Sequence, residues 1–198
     1  MAITYEIGSS LYFNITNKCP CKCTFCVRKT TAGVNYGESL WLEHEPALEE
    51  ILEDLSERDL KKYSEFVFCG FGEPTERLDI LLKCAEFLND HKKERQKIRL
   101  NTNGLSDLIN NKETAPLFDR CIDILSISLN APDSETYNAL CSPVFGESSF
   151  DAIIRFASDS KRYIPEVVMS VVGASLDKEA VERCRDLCGS LGISLRVR

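Results

Sequence analysis

Residues 65–75 read Glu65-Phe-Val-Phe-Cys-Gly-Phe-Gly-Glu-Pro-Thr75. An apolar, aromatic-rich run suited to a buried strand is broken by two glycines. A stripe of Leu78, Leu81, Leu82, Ala85 and Leu88 follows at i, i+3, i+4, i+7 spacing, which predicts an amphipathic helix. The unit is strand, glycine turn, helix, and the chain repeats it on both sides. Upstream, Leu11–Thr16 reads as a strand, followed by a polar, cysteine-rich loop and a helix near Glu45–Leu55 with Leu48, Ile51, Leu52 and Leu55 on one face and Pro46 in its first turn. Downstream, strand-like runs occupy Ile98–Asn101, Ile122–Asn130, Glu166–Val172 and Gly192–Arg198. Helical patterns separate the later runs over Asp133–Leu140, at Phe150, Ile153, Ile154 and Ala157, and at Ala180, Val181, Cys184, Leu187 and Cys188.

Six strands joined by crossovers predict a parallel α/β sheet, because parallel neighbours need connections of a dozen or more residues. Six units are too few for an eight-stranded barrel, so the product is an open doubly wound sheet or a partial barrel. Either form places ligands at the carboxyl ends of the strands. Strand parity favours the barrel. Ile124, Ser126, Ser128 and Asn130 point one way and Leu125, Ile127 and Leu129 the other. The serine and asparagine face needs polar partners, and a hollow half-barrel supplies a polar lumen.

The chain has 198 residues, enough for one domain with a single core. No apolar run approaches the roughly 20 residues of a membrane span. The N-terminus lacks the pattern of an export signal, so a cytoplasmic setting is expected. The net charge of −7, with bases mixed among acids along most of the chain, argues against nucleic acid as a partner.

Ten cysteines are far more than an ordinary cytosolic chain of this length carries. A disulfide framework suits short exported chains and fits poorly here, which leaves metal ligands and buried structural thiols. Cys19, Cys23 and Cys26 form C-x-x-x-C-x-x-C on the loop after the first strand. Zinc in a structural site wants four ligands, whereas an iron–sulfur cube held by three thiolates keeps one iron open to a ligand. Cys21 lies inside the same string, Cys19-Pro-Cys-Lys-Cys23-Thr-Phe-Cys26, and on spacing alone could replace a neighbour. Phe25 either shields the site or packs the loop. In the second constellation, Gly70-Phe-Gly-Glu-Pro-Thr75, the glycines let backbone approach a ligand and Glu73 offers a carboxylate to an amine. The competing reading is an ordinary turn capped by Thr75.

In this order and separation, the cysteine spacing, Phe25, the Gly-Glu-Pro string one unit later and the six-unit pattern resemble the radical S-adenosylmethionine (SAM) enzymes. The resemblance implies a (β/α)6 partial TIM barrel, a [4Fe–4S] cluster on Cys19, Cys23 and Cys26, and SAM on the open iron. It further implies that Gly70, Gly72, Glu73 and Pro74 hold the SAM amino group, that Asn101-Thr-Asn103-Gly104 forms a polar turn near SAM, and that Ser128 and Asn130 meet its ribose or carboxylate. Phe71 departs from the family's commoner Gly-Gly-Glu form. The strings Leu11–Cys21 and Glu38-Ser-Leu-Trp-Leu-Glu43 are more specifically similar to the TatD-family-associated radical SAM proteins, which implies a TatD-type hydrolase as a functional neighbour.

The activity implied is reductive cleavage of SAM to a 5′-deoxyadenosyl radical acting on a small-molecule substrate, with an electron donor such as flavodoxin or ferredoxin. Activation of a partner protein is the near variant, and a redox or structural metal module without SAM chemistry is the alternative class. Arg196 and Arg198 share a parity with Ser194 on the last strand and could clamp an anionic substrate group. Cys184 and Cys188 continue an apolar stripe and read as core. Cys69, Cys84, Cys121 and Cys141 are scattered with no second motif, His44 and His91 read as surface residues, and Trp41 as a core anchor or, alternatively, a cover for the site or a partner. A second subunit could cover the open barrel edge.

Overall fold

The computed structural model describes residues 2–29 and 39–198. Its seven strands are β1 (Thr4–Ile7), β2 (Ser10–Phe13), β3 (Glu65–Phe68), β4 (Lys97–Thr102), β5 (Ile124–Ser128), β6 (Glu166–Val171) and β7 (Ser194–Val197). They form one sheet in sequential order. A doubly wound sheet reverses its order at a switch point, and this sheet never does. The fold is therefore a partial TIM barrel of six parallel βα units, β2 to β7.

β1 is an addition to the six strands expected. It pairs antiparallel with β2 through Thr4↔Phe13 and Ile7↔Ser10. Gly8 supplies the left-handed φ of +59° that the two-residue hairpin uses.

Helices α1 (Leu48–Ser56), α2 (Leu78–His91), α3 (Ser106–Asn110), α4 (Ser134–Cys141), α5 (Ser148–Ser160) and α6 (Lys178–Ser190) fill the connections. Helix α1 starts later than the pattern suggested. Its N-cap is Ala47, so Pro46 lies outside the first turn, and the Glu50 carboxylate accepts from the Ala47 N–H at 2.7 Å. The short α3 was not anticipated.

The register sorts side chains onto two faces. One rib runs Phe13, Phe68, Leu100, Leu125 and Val167, and a second runs Thr102, Ile127, Met169 and Leu195. These ribs lie under the helices, and Phe13, Phe68, Leu100, Leu125 and Ile127 have no exposed surface. The opposite face carries Tyr12, Val67, Arg99 and Ile124 in one rib, then Asn101, Ser126, Val168 and Ser194, then Ser128, Ser170 and Arg196. This is the polar lumen expected from the parity of β5.

Cys184 and Cys188 are buried as core residues, with Cys188 Sγ 3.6 Å from Met169 Sδ. Trp41 is not a core anchor: it is 49% exposed, edge-on to Phe71 at 5.2 Å. Among the described residues no helix is long and apolar enough to cross a membrane.

Candidate cofactor site

The chain leaves β2 at the carboxyl end of the sheet and enters the cysteine loop. The last four carbonyls of any helix lack donors within it. Here Lys22 and Thr24 donate backbone N–H groups to the Cys141 and Leu140 carbonyls of α4, each at 2.8 Å, and Val144 N–H donates to the Pro20 carbonyl at 2.9 Å. Cys26 N–H donates to the Cys23 carbonyl at 3.3 Å, and a 3-10 turn over Val27–Lys29 follows. The loop is thus fixed by backbone bonds that do not depend on any bound group.

Cys19, Cys23 and Cys26 are half-buried, whereas Cys21 is 3% exposed. Asn103 Nδ2 lies 4.0 Å from both Cys19 Sγ and Cys21 Sγ. The Tyr137 hydroxyl is 3.8 Å from Cys21 Sγ, and Arg28 Nε donates to Cys26 Sγ at 3.4 Å. Hydrogen bonds sort the protons among the thiols. Cys19 is lowered chiefly by Cys21, and Cys23 is lowered first by Cys141 and then by Cys21. Cys21 and Cys141 are raised by those same bonds and by burial. Cys19 and Cys23 are thus the more acidic of these four thiols, and Cys21 and Cys141 the less acidic. Among the described residues no three His, Cys, Asp or Glu side chains close on one point as a single metal ion requires. A cube instead takes its three thiolates on three separate irons.

Cys141 is the residue the sequence reading missed. It stands at the end of α4 beside Cys23, and Asn130 Nδ2 donates to its sulfur at 3.7 Å. No spacing rule links positions so far apart in the chain.

The Gly70–Thr75 turn packs against the cysteine loop. A Cβ on Gly70 would meet Asn14 Oδ1 at 2.1 Å, and one on Gly72 would meet the Thr16 carbonyl oxygen at 2.3 Å. The close approach that these glycines permit is thus first to the chain itself. Glu73 N–H donates to the Lys18 carbonyl at 2.7 Å, which ties the two loops together.

The Glu73 carboxylate is buried. Its Oε1 accepts from Thr75 N–H at 3.2 Å, Thr75 Oγ1 at 2.8 Å and Thr102 Oγ1 at 2.7 Å, and its Oε2 from Asn103 N–H at 2.6 Å. Burial raises its pKa against these donors, which lower it. Glu73 caps the 3-10 turn that Pro74 opens, so the cap is Glu73 rather than Thr75.

Asn101, Ser128 and Asn130 stand at the carboxyl ends of β4 and β5. Asn101 hydrogen-bonds the Cys69 thiol, and Arg198 Nη2 donates to Ser128 Oγ at 3.4 Å, which brings Arg198 to the lumen rim. Arg196 lies beside Ser170 in register but is exposed. Asn130 adopts φ +61°, a left-handed conformation that asparagine tolerates. The Oδ1 atoms of Asn101 and Asn130 are buried without a hydrogen-bond partner. Buried acceptors are normally satisfied, so a ligand bearing amine or hydroxyl donors fits here. Phe25 is half-buried against the core.

A partial barrel with three cysteines on the loop after its first parallel strand defines a class of cofactor-dependent enzyme. The chain belongs to the Radical SAM superfamily, whose model matches residues 13–190. Members of this family are enzymes that use a [4Fe–4S] cluster and SAM. The thiol set, with orphaned acceptors beside it, fits both groups.

Among solved structures, SuiB of Streptococcus suis bound to the precursor peptide SuiA is similar at TM-score 0.63 and 19% identity, over 96% of this chain and 38% of that one. SuiB bound to S-adenosylmethionine is similar at TM-score 0.63 and 20% identity, over 94% and 37%. A radical SAM methyltransferase from Sphaerobacter thermophilus is similar at TM-score 0.53 and 15% identity, over 98% and 68%. The chain spans under two-fifths of the SuiB length. No curated protein matches this chain.

Proposed function

We propose that this chain is a radical SAM enzyme that acts on a small-molecule substrate in the barrel lumen. When bound, the cluster supplies the electron that cleaves SAM into methionine and a 5′-deoxyadenosyl radical. The carrying observation is a backbone-fixed loop presenting Cys19, Cys23 and Cys26 at the carboxyl end of β2.

In this reading those three cysteines ligate the cluster, and the single S–H of Cys21 lies within reach of two of them, Cys19 and Cys23. The backbone of Gly70–Pro74 holds the SAM amino group. The Glu73 side chain acts through the Asn103 turn that it fixes, and the orphaned Asn101 and Asn130 oxygens take donors from the cofactor. Asn103 and Ser128 complete the polar wall, Phe25 shields the loop, and Arg198 with Arg196 meets an anionic group of the substrate. Leu11–Cys21 and Glu38–Glu43 support placement among the TatD-associated members with a TatD-type hydrolase as neighbour, although Glu38 lies outside the described residues. One domain working in the cytoplasm, reduced by an external electron donor, completes the proposal.

Anaerobic reconstitution followed by dithionite and SAM tests it. The expected results are about four irons per chain and release of 5′-deoxyadenosine, with both lost in Cys23→Ala. Zinc in place of iron, with no 5′-deoxyadenosine, would overturn the reading. A full cluster in Cys23→Ala would move the ligand role to Cys21.

A further inference from the structure

The chain carries 31 acidic and 24 basic residues, yet none of the acids lies between Glu6 and Glu38. The described part of that stretch contains Lys18, Lys22, Arg28 and Lys29, all on the cysteine loop. Lys22 and Lys29 are exposed, and among the described residues neither is in an ion pair. Lys18 is paired with Glu45 at 3.1 Å but keeps 67% of its side-chain surface.

Two exposed valines lie on this loop or against it. Val144, at 68%, is the most exposed large hydrophobic residue described, and its N–H bonds the Pro20 carbonyl of the loop. Val27, directly before Arg28 in the chain, is 39% exposed. An open cavity of about 520 Å³ passes from Val144 and Phe145 over Lys18 and Arg28 to Cys19. Among the described residues, Glu76 is the one carboxylate on its wall. Arg28 lines the cavity too, and its Nε donates to Cys26 Sγ at 3.4 Å. The cavity therefore opens directly onto the cysteine set.

We propose that this face is the docking surface for an acidic one-electron donor protein that reduces the cluster. The proposal rests on the radical SAM reading above. Reduction needs one electron from outside the chain and moves no atoms: the donor is oxidised by one electron and the cluster reduced by one. An acidic donor is repelled by most of a molecule of charge −7 and attracted by this one acid-free loop, so the charge pattern orients the encounter at the electron's point of entry. The exposed valines give the apolar contact that a short-lived complex needs inside a charged rim.

The test compares reduction of the reconstituted holoprotein by reduced flavodoxin with reduction by photoreduced 5-deazariboflavin, an uncharged small donor, using stopped-flow loss of cluster absorbance. The variants are Lys22→Glu with Lys29→Glu, Val144→Asp, and Lys83→Glu on the exposed face of α2 as a control.

The wild-type rate with flavodoxin should fall steeply with salt. The Lys22/Lys29 double variant should lose roughly tenfold at low salt, with a flattened salt dependence, and Val144→Asp should also slow. Lys83→Glu, and every variant with deazariboflavin, should match wild type. Unchanged flavodoxin rates in both loop variants, with a cluster that deazariboflavin still reduces, would overturn the docking proposal alone. A wild-type protein with no reducible cluster would overturn the underlying reading and the docking proposal with it.

Discussion

Glu73 carries a job that its place in a family-like motif conceals. Four donors converge on its buried carboxylate, and three of them come from Thr102 and Thr75. Glu73→Gln replaces one acceptor oxygen with an NH2 group that must face a donor. Leaving buried donors unpaired costs about 1–3 kcal/mol. The expected outcome is a loss of that size in the urea stability of the cofactor-free protein. A carboxylate that served only the cofactor would leave this stability unchanged. Cys141 shows how little of such detail was readable beforehand. The three-cysteine spacing was legible because loop residues close in sequence are close in space. Cys141 reaches Cys23 only because α4 ends against the loop, a consequence of tertiary packing.

At the scale of elements, α4 offers a clean electrostatic test. Asp133 is its N-cap and accepts from Thr136 N–H at 2.8 Å, and that backbone bond is the main reason its carboxyl is held below the ordinary range. A lowered folded pKa stabilises above the unfolded value and is lost as pH falls through the folded one. Asp133→Ala should therefore cost about 1 kcal/mol near neutral pH. The gap to wild type, followed by urea unfolding across pH, should shrink below pH ~4. A gap independent of pH would show that the charge takes no part.

The elements legible in sequence were those with a strong period: α2, α5, α6 and the alternating β5. Strand β1 was missed because four residues give too little period and a hairpin partner supplies what they lack. The five residues of α3 were missed for the same reason, and they are held in part by side-chain bonds such as Asn110 Nδ2 to the Thr75 carbonyl at 3.1 Å. Pro46 misled the start of α1 because proline is equally at home just before a helix.

At the scale of the molecule, the sheet is open, and its two ends are unlike. β1 pairs only with β2, yet Tyr5 is buried and its hydroxyl bonds the Cys69 carbonyl at 3.0 Å. Among the described residues β7 pairs only with β6, as β1 does only with β2, and Ser194, Arg196 and Val197 are exposed. Protection against hydrogen exchange follows buried contacts. Amides of β7 should exchange well ahead of those in β4 and β5, as read by native-state mass spectrometry. Equal protection across the sheet would mean that a partner strand covers this edge in solution. The sequential order of the strands was implied by the repeating unit. The choice between barrel and doubly wound sheet rested on the parity of β5 and on the family resemblance, and the sequential strand order bears it out.

Two backbone bonds from the cysteine loop to α4, and a third to Val144 just beyond it, bear on how the loop is ordered. Many small metalloproteins are shapeless until the metal arrives, and the free energy of binding then also folds the chain. Here the ends of α4 and the loop complete one another with amides and carbonyls alone. A loop tied down in this way owes part of its shape to the rest of the barrel, so cluster binding is not the sole source of the free energy that orders it.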